Sequence, residues 1–111
     1  MADENYQGQE RRVSFRLTFP PDRSPRIKIN GMAYAVIDMA ENGIRFYNPL
    51  RQRMPDGPLQ AQVMFQDGEQ LIVVAQILRY EPLMITVSLI EGIPMQRMLA
   101  EQILIQKTSS T

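Results

Sequence analysis

Apolar positions recur every second residue through most of this chain and every third or fourth only near its end. Residues 26–29, Arg-Ile-Lys-Ile, alternate polar and apolar, and Asn30-Gly31 directly after them is the strongest two-residue hairpin signal present. The pattern predicts a returning strand over 32–37, a turn over 38–42 and a third strand over 43–48. Residues 49–58 read as a loop whose turn chemistry is Pro55-Asp56-Gly57-Pro58. A fourth strand over 59–66, a second hairpin turn at Asp67-Gly68 and a long fifth strand over 69–80 follow. Glu81-Pro82 breaks that strand, and 83–90 is a sixth. Short strands joined mainly by hairpins imply an all-β fold, a six-stranded antiparallel β-barrel, because closure removes exposed strand edges.

The tail changes period. Pro94 suits the first position of a helix. Met95, Met98, Leu99 and Ile103 then recur at helical spacing, opposite Gln96, Arg97 and Glu101, while Leu104 and Ile105 widen the apolar face. These residues predict a C-terminal helix over 94–107 laid on the barrel, with Met95 and Met98 in the core, where thioethers fill gaps. Ahead of the barrel, residues 1–9 are polar and aperiodic and are expected to be a disordered tail. Residues 10–25 form an arm and linker, in which Pro20, Pro21 and Pro25 forbid a helix and favour extended or turn geometry.

A chain of 111 residues holds one domain, with the barrel over 26–91 as its body. Formal net charge is zero, which argues against a general polyanion binder, so neither DNA nor RNA is expected as a partner. The charge is unevenly spread: between Arg11 and Lys28 stand six basic residues and one acid, Asp22, and the remainder is net acidic. A local positive field suits a small anionic ligand. Cysteine and histidine are absent, which removes disulfides, thiol nucleophiles and the commonest general base and transition-metal ligand. No nucleophile–base pair or phosphate-binding glycine loop is visible, and an enzyme or a resident cofactor is not expected. No apolar run reaches membrane-spanning length and the first residues lack a signal-peptide pattern, so membrane insertion is not expected and a cytoplasmic location is.

Two stretches carry candidate chemistry. In Arg11-Arg12-Val13-Ser14-Phe15-Arg16, three guanidinium forks lie within six residues, each able to take two acceptors of a phosphate or of a guanine O6/N7 edge. A solvated basic face is the plainer reading of such a run. In Asp38-Met39-Ala40-Glu41-Asn42-Gly43, Asp38 is either a turn cap or an acceptor, and Gly43 marks a positive φ or a close backbone approach. Asp67 and Glu69 flank a hairpin and read as solubilising turn residues.

Together the two stretches resemble the signature of the PilZ domain, a bacterial receptor module for cyclic di-GMP. That family carries Arg-x-x-x-Arg in an arm ahead of a β-barrel and Asp/Asn-x-Ser-x-x-Gly at a strand end. Arg12 and Arg16 match the first motif with Arg11 before it; Asp38 and Gly43 match the ends of the second, and Ala40 stands where the family has Ser. The resemblance runs from about residue 10 to the end. It implies that Arg11, Arg12, Arg16, Asp38, Ala40 and Gly43 bind cyclic di-GMP, the arginines on phosphates and guanine edges and Asp38 on the guanine donor edge. An Arg at position 11 further implies two intercalated nucleotides per chain. The implied function is a second-messenger receptor whose arm folds onto the barrel and signals to a protein effector, as in motility or biofilm control. The alternatives are a protein-interaction module of the same fold that has lost nucleotide binding, and an oligonucleotide-binding barrel. The last wants neighbouring stacking aromatics, which Phe46, Tyr47 and Phe65 do not supply.

Overall fold

The computed structural model describes residues 16–109. In order these form β1 (Arg16–Thr18), a single 3-10 turn (Pro21–Arg23), β2 (Arg26–Ile29), β3 (Met32–Ala40), β4 (Gly43–Tyr47), β5 (Leu59–Met64), β6 (Gln70–Glu81), β7 (Met84–Glu91) and α1 (Met95–Ser109). Every pairing is antiparallel. β3 lies against β2 and β4, β4 against β7, β7 against β6, β6 against β5 and β5 against β2, which closes a six-stranded barrel. The alternation in the sequence faces Ile27, Ile29, Val63, Val73, Ile85 and Val87 inward, and all are buried.

The tight turns form where the residues permit them. Asn30 (φ 53°) and Gly31 (φ 85°) both adopt left-handed backbone, as a two-residue turn matched to strand twist requires. At the β5–β6 turn Gly68 has φ 98°, and Asp67 Oδ1 accepts from the Glu69 amide at 3.1 Å.

Three expectations from the sequence need correction. First, the segment read as arm and linker contains β1, which pairs with Asp38–Ala40 where β2 has ended, and drops Leu17 and Phe19 into the core. β3 is longer than β2, so its far end offers an unpaired edge, and three residues suffice to cover it. Second, β3 runs to Ala40 rather than stopping at Ile37. Ile37 is a one-residue bulge between the Val36–Phe46 and Asp38–Arg45 pairs, and the turn shrinks to Glu41 and Asn42. Third, α1 is turned relative to its apolar stripe. Met98 faces the barrel with Arg97 and Glu101, whereas Met95, Leu99 and Ile103 are exposed.

The cause of that rotation is Arg97. Its guanidinium reaches Asp67 (3.0 Å) and Glu69 on the β5–β6 turn and Glu101 one helical turn on, and lies 4.3 Å from the centre of the Phe65 ring. Burial opposes the charge, but the hydrogen bonds Arg97 donates to Glu101, Glu69 and Asp67 outweigh it and raise the Arg97 pKa above its ordinary value. Asp67 and Glu69 are thus partners of Arg97, not merely solubilising residues. Gly92, just before the helix, abuts the β3–β4 turn: a Cβ there would collide with the Glu41 carbonyl oxygen and lie 2.9 Å from Asn42 Oδ1. The Ile93 amide donates to Glu41 O and the Leu89 amide to Asn42 O, both at 2.9 Å. No helix among the described residues is long and apolar enough to cross a membrane.

Candidate functional site

The outer face of the barrel beside β1 gathers the candidate side chains. Strand register makes Arg16 the partner of Ala40, Ala40 of Gly43, Gly43 of Ser88 and Ser88 of Gln76. One residue along each strand, the pairs Met39–Ile44 and Val87–Ile77 turn inward. The next outward row runs Thr18, Asp38, Arg45, Thr86, Arg79. Two rows on one face therefore contain four of the six residues singled out in the sequence. Arg11 and Arg12 lie outside the described residues.

The bulge at Ile37 is what arranges this. Tyr34 and Val36 face the core on one side of it and Met39 on the other. An uninterrupted period of two would have turned Asp38 inward and Met39 out. The extra residue resets the phase, so Asp38 joins the outer face although it is only 2% exposed. Arg45 explains that burial. Its Nε stands 3.1 Å from both carboxylate oxygens of Asp38 and its Nη2 2.5 Å from Oδ2, a two-pronged clasp. Arg16 Nη1 adds a contact to Oδ1 at 3.3 Å. Hydrogen bonding to Asp38, then its charge, raise the Arg45 pKa.

Asp38 therefore neither caps a turn nor stands open. Both oxygens are engaged, and a guanine donor edge reaches them only by displacing an arginine. The guanidinium groups keep outward donors: the Arg16 side chain is 56% exposed and that of Arg45 33%. At the far end of the row Arg79 binds Glu81 at 2.8 Å. Between Arg45 and Arg79, the buried Thr86 Oγ1 makes no hydrogen bond. The adjoining row is low, because Ala40, Gly43 and Ser88 carry little or no side chain. Gly43 does not have a positive φ, and a Cβ on it would meet the Val87 carbonyl oxygen at 3.4 Å, so backbone strain gives no reason for glycine here.

Arg45, Thr86 and Arg79 went unassigned in the sequence. Alternation along Gly43-Ile44-Arg45-Phe46 does put Arg45 opposite the core, but without the bulge its partner across the sheet is not readable. An apolar hollow of about 180 Å³ lies at the other end of the barrel, lined by Met32, Tyr34, Tyr47, Pro49 and Leu50, away from these charges. Among the described residues no three potential metal ligands cluster. No family model, no curated protein and no solved structure matches this chain.

Proposed function

We propose that this protein is a receptor for cyclic di-GMP that binds the nucleotide on the outer face of β1, β3 and β4 and passes the signal to a protein effector. One observation carries the reading: Arg16, Ala40 and Gly43, from two motifs far apart in the chain, fall in a single cross-strand row, with Asp38 in the row beside it. Arg16, Arg45 and Arg79 outnumber Asp38 and Glu81 there, so the face is cationic, and Arg11 and Arg12 precede it in sequence. The guanidinium forks match phosphates and guanine O6/N7 edges. The low floor of Ala40 and Gly43 admits a flat purine.

The second reading, a protein-interaction module of this fold without nucleotide binding, draws on the clasp of Arg45 on Asp38 and on Ala40 in place of Ser. A serine hydroxyl there would add about 0.5–1.5 kcal/mol net, so Ala40 weakens a nucleotide site without abolishing it. Calorimetric titration with cyclic di-GMP separates the two. We expect a dissociation constant on the order of micromolar or tighter, and a loss of about 1–3 kcal/mol each for Arg12→Ala and Arg16→Ala. Saturation is expected at two nucleotides per chain, falling towards one in Arg11→Leu, because Arg11 helps offset the roughly four phosphate charges of a stacked pair. No heat and no amide shifts with excess nucleotide would leave the interaction module as the reading.

A further inference from the structure

α1 is amphipathic with its faces exchanged. Its charged residues Arg97 and Glu101 point into the protein, 8% and 2% exposed. Its large apolar residues Met95, Leu99 and Ile103 point out, 40%, 47% and 56% exposed. Burying charge while exposing three large apolar side chains in a line is an unfavourable arrangement for an isolated helix in water. We propose that this stripe is the contact through which two copies of the protein pair, helix α1 against helix α1 about a two-fold axis near Leu99.

Spacing and charge together select a second copy. Met95, Leu99 and Ile103 are four residues apart, so they form a single ridge of the kind that fits the groove beside an identical ridge when two helices cross at about 50°. Leu99 is the middle residue. A two-fold axis through it sets Met95 beside Ile103 of the other copy, so the stripe is complementary to itself. Of the residues beside the stripe, Gln96, Ala100, Gln102 and Gln106 are uncharged, and Lys107, four residues beyond Ile103, places a single charge at its C-terminal end. An anionic membrane or an acidic peptide calls for several cations along the apolar line, and a basic partner for acids, whereas a stripe with one cation at its end meets its own image with little repulsion. Lys107 is eight residues from Leu99, about 12 Å along the axis, so the two copies of it stand at opposite ends of the pair. A single helix pair buries less area than a tight permanent dimer, which makes this a reversible association. The inference is independent of the nucleotide reading.

Sedimentation velocity over a dilution series of the full chain tests it. We expect dimer at high concentration, dissociating to monomer on dilution with a constant on the order of tens of micromolar. Leu99→Glu should weaken association at least tenfold while leaving the melting curve of the dilute protein in place, since Leu99 touches solvent in the monomer. Because Leu99 lies on the axis, Leu99→Glu mixed with Leu99→Lys should pair again although neither variant pairs alone. A wild-type chain that stays monomeric at several hundred micromolar overturns the proposal. So does a dimer unaffected by Leu99→Glu, a mixture of the two variants that remains monomeric, or Leu99-dependent sedimentation with phosphatidylglycerol vesicles in place of self-association.

Discussion

Replacing Arg97 by Met is the sharpest probe of how the helix is held. Methionine keeps an unbranched apolar stem over Phe65 but withdraws the guanidinium from three carboxylates. Asp67 and Glu69 have side chains 43% and 49% exposed and regain hydration when released, so their share is small. Glu101 is different: at 2% exposure its carboxylate is left buried without a cation. Breaking a buried pair from one side typically costs about 3–5 kcal/mol, and the two exposed acids cease to compete, so we expect about 2–4 kcal/mol for Arg97→Met. For a domain of this size that lowers the melting temperature by about 8–16 °C. Glu101→Leu alone leaves Arg97 with Asp67 and Glu69 and should cost about 1–2 kcal/mol. The double variant carries no stranded charge and should fall within about 1 kcal/mol of wild type, since apolar residues replace a buried pair at little cost. Urea unfolding followed by circular dichroism measures all four proteins. Costs that simply add, or an Arg97→Met variant as stable as wild type, would refute the view that Arg97 compensates a buried carboxylate.

Two further outcomes follow from the same end of the barrel. Gly92→Ala should destabilise by about 1–3 kcal/mol, because the new methyl meets the Glu41 backbone, outweighing the ~0.4–1 kcal/mol gained by stiffening the unfolded chain; a raised melting temperature would contradict this. The Glu69 amide and then Arg97 favour the charged form of Asp67 and hold its pKa below the ordinary 3.8. Its contribution to stability is therefore complete above that value and lost as pH falls through the lower folded-state value. Unfolding midpoints measured from about pH 5 down to pH 2 should decline less steeply in Asp67→Asn than in wild type, and identical slopes would exclude the contribution.

Much of the barrel was legible because its signals are local. Alternation in 26–29 and the pair Asn30-Gly31 specify a strand and its turn without reference to the rest of the chain. What escaped depends on contacts between distant segments. Asp38 looks like a turn residue until β1 and β4 are seen to hydrogen-bond both edges of β3, and the bulge at Ile37 leaves no mark in composition. The face of α1 was misread for a related reason. Hydropathy alone sends Leu99 inward and Arg97 outward, but Asp67, Glu69 and Phe65 on a separate turn form a receptacle that the Arg97 guanidinium occupies. For the candidate site, the motifs indicated Arg16, Asp38, Ala40 and Gly43, while Arg45, which occupies the carboxylate of Asp38, needed the register of two strands.

The close approach of Gly92 to Glu41 has a mechanical consequence. The base of α1 is mounted on two turns of the barrel, the β3–β4 turn through Gly92 and Ile93 and the β5–β6 turn through Arg97. A beam resting on two supports cannot keep its direction when one support moves against the other. With 15 residues α1 is about 22 Å long, so a tilt of about 10° at its base corresponds to about 4 Å at its C-terminal end. The β3–β4 turn joins the strand of Asp38 and Ala40 to the strand of Gly43 and Arg45. Ile105 packs against the barrel core nearer the other end of the helix, so an adjustment between those strands tilts α1 only as far as that contact yields.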